Sequence, residues 1–192
     1  MVREVITDKE ILSQHSERVS KEDITYRKNS DLIVDLKDTL RNSKSGVGIS
    51  AIQLGVPKRI IVVKVGPRDT DYLTMINPEI DASTKSRYIM SIEGCLSFPG
   101  KEFVVIRQEV IDVYFTTPLG KAKALRVSGL LSRVIQHECD HLDGACLDET
   151  GLEYTEDIRL LSPEELQKAI ADYKKEHPVK QKGKKKNKSE SK

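Results

Sequence analysis

The chain has no tryptophan and few other aromatics, with three phenylalanines and six tyrosines among 192 residues, so its core has to be aliphatic. Three cysteines, an odd count, exclude a closed disulfide framework and point to a reducing compartment, the cytoplasm. No apolar run approaches the roughly 18–20 residues of a membrane span, so no membrane partner is expected. Met1 to Asp8 lack an apolar h-region and carry acids, so they read as neither a signal nor a transit peptide. Charge of one sign is scarce too: 32 Lys and Arg oppose 30 Asp and Glu, a net +2. The balance is uneven, however. Residues 178–192 hold seven lysines and one glutamate, a local +6 that leaves −4 for the rest. The body is mildly acidic and no DNA partner is expected, whereas the lysine tail could meet RNA phosphate, such as that of a ribosome.

What is present is concentrated in Val134 to Gly144. His137 and His141 stand four residues apart with Glu138 between them. On a helix these two imidazoles share one face, where they can grip one metal ion while Glu138 carries a proton. Leu130, Leu131, Val134, Ile135 and Leu142 support that helix, with Ser128 as its N-cap and Gly144 as its stop. A surface helix carrying two histidines by chance would spell the same five letters. A catalytic centre needs a third ligand. Cys139 lies about 200° around the helix from His137 and points away. Cys146 stays open on geometry alone. Cys95 sits in Glu93-Gly94-Cys95-Leu96-Ser97-Phe98-Pro99-Gly100, where Gly94 would let backbone approach a buried object and Pro99-Gly100 would close the segment.

Upstream, Ser30-Asp31 would cap a helix carrying Leu32, Ile33, Leu36 and Leu40. Gly46-Val47-Gly48-Ile49-Ser50-Ala51 matches the opening of a dinucleotide fingerprint. No strand directly precedes it, and Gly55-Val56-Pro57 would stop a following helix early, so a flexible loop lying close to substrate is the better reading. Strand signals follow at residues 59–65, 72–76 (ending at Asn77-Pro78), 88–90, 103–106, 110–115 and 121–127, with a turn at Pro118-Leu119-Gly120. Ser162-Pro163-Glu164-Glu165 starts a last helix, to about His177. Strands followed by a long helix, without βαβ alternation, predict an α+β fold: largely antiparallel sheets around a central metal-binding helix, with a C-terminal helix. Residues 1–177 form one catalytic domain and 178–192 a lysine-rich tail. Residues 1–29 are polar and give no clear pattern; His15 reads as solvated.

Three segments together, Gly46 to Gln53, Glu93 to Ser97 and His137 to Leu142, resemble in order and spacing the three signature motifs of the peptide deformylases. The likeness covers roughly residues 25–150. It implies that Cys95, His137 and His141 hold one divalent metal, Fe²⁺ by family likeness, although Zn²⁺, Ni²⁺ and Co²⁺ accept the same donors. It implies that Glu138 moves the proton of the attacking water, and that the Leu96 backbone N–H and the Gln53 amide donate to the oxyanion. The substrates would be N-formylmethionyl peptides, lined by Val47, Gly48, Ile49, Leu130, Arg133 and Val134, with formate released. Glu93, Arg107 and Asp140 are the charged residues that could orient the histidines. This sequence departs from the family in three places. Gln14 to Arg18 replaces a Pro-Asp-Pro type segment, Ser50 replaces alanine, and Arg133 stands where an apolar wall residue is expected. A zinc endopeptidase uses the same helix motif and is the competing reading. A non-catalytic metal module is a third, and the Gly46–Gln53 and Glu93–Ser97 motifs argue against both.

Overall fold

Single apolar residues without any period tie residues 1–29 to the body. The computed structural model describes residues 1–155 and, beyond them, residues 162, 164, 165, 168, 171, 172 and 175. Two short helices, α1 (Lys9–Leu12) and α2 (Lys21–Thr25), are capped by the side chains of Asp8 and Ser20. Between them the chain runs as a strap: Ser16 N–H donates to Leu142 O at 2.8 Å and Arg59 N–H to Glu17 O at 2.8 Å. Leu12, Val19 and Ile24 are buried, while His15 is exposed as expected.

Helix α3 (Ser30–Asn42) lays Ile33, Leu36 and Leu40 into the first core. The expected cap is displaced by one residue: Asn29 is the N-cap, without a side-chain cap bond, and Ser30 Oγ donates back to Arg27 O at 2.7 Å. Five strands follow in one antiparallel sheet: β1 (Gly48–Ser50), β2 (Ile60–Lys64), β3 (Tyr72–Ile80), β6 (Val110–Thr116) and β7 (Ala122–Ser128), in the order β1-β2-β3-β6-β7. A second sheet joins β4 (Tyr88–Cys95), β5 (Phe98–Gln108) and β8 (Leu152–Glu153), also antiparallel. Helix α4 (Gly129–Leu142) continues directly from β7, and α5 (Leu147–Thr150) precedes β8.

The run Ile60-Ile61-Val62-Val63 lacks polar alternation because β2 is covered on both faces. Ile60 and Val62 pack in the first core with α3; Ile61 and Val63 pack in the second with Val134, Ile135, Cys139 and Leu142 of α4. The helix that carries the histidines is thus held by the sheet's aliphatic face, and the fold is α+β with antiparallel sheets, as predicted.

Three expectations are corrected. Gly48–Ser50 is no flexible loop but an edge strand, with Gly48 opposite Val63 and Ser50 opposite Ile61. Asn77-Pro78 does not end its strand. β3 continues to Ile80 with a register shift between Ile76 and Glu79, and Asn77, at φ 53°, pairs both its amide atoms with the Val19 backbone. Pro99-Gly100 does not close the cysteine segment either; it lies inside β5, and the chain turns one step earlier at Leu96-Ser97.

Beyond Thr155, the capping box at Ser162 forms: Glu165 N–H donates to Ser162 Oγ at 3.3 Å and Ser162 N–H to Glu165 Oε2 at 2.8 Å. Glu164, Glu165, Lys168, Ala171, Asp172 and Lys175 are helical. The lysine tail, residues 178–192, lies outside the described residues. Among the described residues no helix is long and apolar enough to cross a membrane.

Candidate metal centre

Helix α4 turns one face to the second core, and of its other buried side chains His137, Glu138 and His141 form the centre. Ser128 occupies the N-cap without a side-chain bond. At the far end Gly144 takes φ 72° and lies against the strap, where a Cβ would stand 2.5 Å from Ser13 O. The helix stop therefore also docks the N-terminal segment. Cys139 packs in the second core and Cys146 is buried near Leu147; neither joins the cluster. Burial pushes both thiols up, Cys146 to about 12.

Cys95 arrives from the other sheet. The β4–β5 ladder is regular to Gly94 opposite Glu102, then slips so that Cys95 faces Phe98. Its Sγ lies 3.2 Å from His141 Nε2, and the ligand atoms of Cys95, His137 and His141 all lie within 4.8 Å of one another. Gly94 does not provide the close approach expected of it, since a Cβ there would meet only Lys101 O at 3.8 Å. Gly48 does. A Cβ on it would stand 2.5 Å from Glu138 Oε1 and 2.7 Å from Val134 Cγ1, so only glycine lets β1 lie this close to α4.

A buried ion network orients the ligands. His137 Nδ1 bonds Glu93 Oε2 at 3.0 Å, which turns Nε2 inward. Arg107 grips Glu93 through two bonds of 3.0 and 2.8 Å and reaches Asp140 with its other arm. Burial alone would raise the Glu93 carboxyl, but the bonds from His137 and Arg107 outweigh it and hold it near 2. Burial alone would likewise lower His137, yet Cys95, Glu93 and the charge of Glu138 raise it to about 10. With their ligand atoms gathered at one point, one thiolate and two imidazoles are a suitable donor set for one divalent metal. The expected orienting partner for His141 is absent: among the described residues nothing bonds its Nδ1, and burial with the charges of His137 and Arg107 pushes its pKa down.

Around this centre lies one cavity of about 750 Å³, lined by Val47, Gly48, Gln53, Cys95, Leu96, Leu130, Arg133, Val134, His137 and Glu138 among others. Of the residues expected to line it, Ile49 does not; it points from the other side of β1 and is fully buried in the first core. The Glu138 carboxylate is buried, its Oε2 has no partner among the described residues, and burial pushes its pKa up to about 7. Gln53 is buried and firmly oriented. Its Oε1 accepts from Ser50 N–H at 2.9 Å and Ser50 Oγ at 3.0 Å, so Nε2 faces Cys95 Sγ at 3.6 Å and Ser97 Oγ at 3.2 Å. Ser50 and Ser97 are therefore part of the site, and sequence reasoning missed both. The S-x-x-Q pattern of Ser50 to Gln53 is the signal for the first: it forms a capping box on the 3-10 turn Ala51–Leu54. Among the described residues no turn or loop hydrogen bond gives the Leu96 N–H a backbone acceptor.

The comparisons agree with this geometry. The polypeptide deformylase family model matches residues 2–151. A peptide deformylase of Picosynechococcus sp. is 42% identical over 136 residues, 70% of this chain and 70% of that one. The class I type b peptide deformylase of Acinetobacter baumannii, crystallised with Met-Ala-Ser, superposes with TM-score 0.71 at 30% identity over 78% of this chain and 98% of its own. A peptide deformylase from Legionella pneumophila gives TM-score 0.70 at 28% identity over 91% of this chain and 95% of its own. Motif order, fold and relatives converge: the chain belongs to the peptide deformylase family, metal-dependent hydrolases that take the N-formyl group from newly made polypeptides.

Proposed function

We propose that this reaction takes place in the cavity above Cys95, His137 and His141, which hold one Fe²⁺ ion, and that Glu138 carries the proton. The observation that carries the reading is the meeting of three donor atoms within 4.8 Å beside a buried carboxylate with an unpartnered oxygen. The family match decides against the endopeptidase reading of the same helix motif. When bound, the metal supplies Lewis acidity, lowering the pKa of its water and polarising the formyl carbonyl. The choice of iron rests on family likeness, since thiolate and imidazole donors also accept Zn²⁺, Ni²⁺ and Co²⁺.

The chain's own residues do the rest. Glu138 takes the proton from the attacking water and returns it to the departing amine, a role for which its buried carboxylate, with one oxygen unpartnered among the described residues, stands next to the ligand cluster. Gln53 Nε2, locked by Ser50, and the Leu96 N–H donate to the oxyanion. Val47, Leu130 and Val134 give the methionine side chain apolar contact. The Met-Ala-Ser held by the Acinetobacter enzyme is the kind of product peptide this cavity would release alongside formate. Three free thiols fit a reducing, cytoplasmic setting. The test is formate release from formyl-Met-Ala-Ser. Glu138→Gln should fold and keep metal but lose about 10²–10⁴-fold in kcat. Near-native release by that variant at pH 7 would place the base elsewhere.

Residues 1–177 act as the catalytic domain, and the lysine-rich segment 178–192 adds phosphate affinity at the ribosome. The charge of that segment supports the reading. Its removal should spare turnover of a free formyl-tripeptide and weaken low-salt co-sedimentation with ribosomes; equal sedimentation of both forms would leave the tail a solubilising end.

A further inference from the structure

Besides Glu138, two charged residues on the cavity walls make no ion pair among the described residues. Lys101 is paired with Glu153 at 2.9 Å, and Glu93 with Arg107 at 2.8 Å. Arg133 on α4 and Glu102 on β5 also line the cavity, yet neither makes an ion pair among the described residues. Arg133 is half-buried and, among the described residues, its guanidinium has no charged partner. A carboxylate arriving at that wall would supply one.

Its place on the helix says which part of a substrate it meets. Arg133 precedes His137 by one turn, about 6 Å along the axis. An extended peptide advances about 3.3 Å per residue, and its side chains alternate between faces. With the formyl carbon at the metal centre and the methionine side chain against Val134 and Leu130 on this same wall, the second side chain turns away and the third returns to it. We propose that Arg133 is a specificity-determining residue that favours an acidic side chain at the third position of the formylated peptide. This rests on reading the cavity as the formyl-peptide site. Glu102, on the wall built by β4 and β5, opposes that preference weakly across the cavity.

The test compares kcat/KM for formyl-Met-Ala-Glu, formyl-Met-Ala-Gln and formyl-Met-Ala-Lys. All three carry C-terminal amides, so that no terminal carboxylate reaches Arg133. At low salt the native protein should prefer Glu over Lys about two- to fivefold, the worth of one partly exposed charge contact. The ratio should fall towards one at high salt and in Arg133→Gln, and should rise in Glu102→Gln. Because the readout is a ratio within each variant, a general loss of activity or yield does not obscure it. An Arg133→Gln ratio equal to the native one, or a native preference for Lys, overturns the inference. Equal formate release from all three peptides removes only the role of Arg133, whereas no release from formyl-Met-Ala-Gln removes the formyl-peptide reading and this inference with it.

Discussion

The deep end of the cavity and its rim hold charge in opposite ways. At the deep end the ions behind the ligands are matched: Glu93 meets both His137 and Arg107, and Arg107 also meets Asp140. At the rim, Arg133 and Glu102 make no ion pair among the described residues. Matched buried charges are costly to disturb singly, because removing one strands the others away from water. Unmatched charges at an opening cost little and remain available to a ligand. The comparison separates residues that build the centre from residues that sort what enters it. It yields an ordered set of effects, from abolition of the site to a small change in substrate affinity.

The largest effect is at Cys95, the one thiol among the described residues that joins the two histidines in the ligand cluster. Cys95→Ala is expected to purify without stoichiometric metal, whereas Cys139→Ser and Cys146→Ser retain it. Elemental analysis of anaerobically purified protein is the check, and full metal in Cys95→Ala would sink the ligand assignment. The other two thiols are buried, Cys139 within the second aliphatic core, and neither joins the cluster of ligand atoms.

Next comes Arg107. It touches no substrate, so its loss should act through Glu93 and His137. Arg107→Ala leaves the largely buried Glu93 and the partly exposed Asp140 without their cation and should cost about 3–5 kcal/mol of stability. Metal affinity should fall about 10- to 100-fold, the usual consequence of losing support behind a ligating histidine. Denaturant titration and competition with a chelator measure the two separately. If affinity is kept while stability falls, Arg107 braces the sheets and does not orient the ligand.

These contrasts also explain what could be read before the structure. The helix from Ser128 to Gly144 was readable because its period, its cap position and two closely spaced histidines agree. Cys95 was readable only through likeness, since a lone cysteine near glycine has many ordinary homes. The partners Glu93 and Asp140 could be nominated but not assigned, because Arg107 is 14 residues from one and 33 from the other. Ile49 was misplaced because a run of six residues around two glycines does not reveal the pleat; once β1 pairs with β2, Gly48 faces Glu138 and Ile49 must face α3. Asn77-Pro78 looked like a strand end because both residues break ladders, yet Asn77 replaces the ladder with its own amide. Residues 1–29 gave no pattern because their buried side chains are single anchors on a strap.

The smallest effect lies within one helix turn, where Leu130 and Val134 both line the cavity on α4. Leu130 is 58% exposed, while Val134 is 9% exposed and packs in the second core. The same chemistry, loss of methyl groups from a wall, should therefore divide into two outcomes. Val134→Ala opens a gap between α4 and the sheet and should cost about 1–3 kcal/mol, with some loss of kcat because Glu138 stands on the next turn. Leu130→Ala removes surface that water already reaches, so stability should stay within about 0.5 kcal/mol. What it gives up is contact with the methionine side chain, and KM for formyl-Met-Ala-Ser should rise a few-fold, on the order of what 1 kcal/mol of apolar burial confers, with kcat unchanged. Thermal unfolding with steady-state kinetics on both variants decides it. A destabilised Leu130→Ala would mean that the rim belongs to the core after all, and an unchanged KM would move the methionine side chain to another wall.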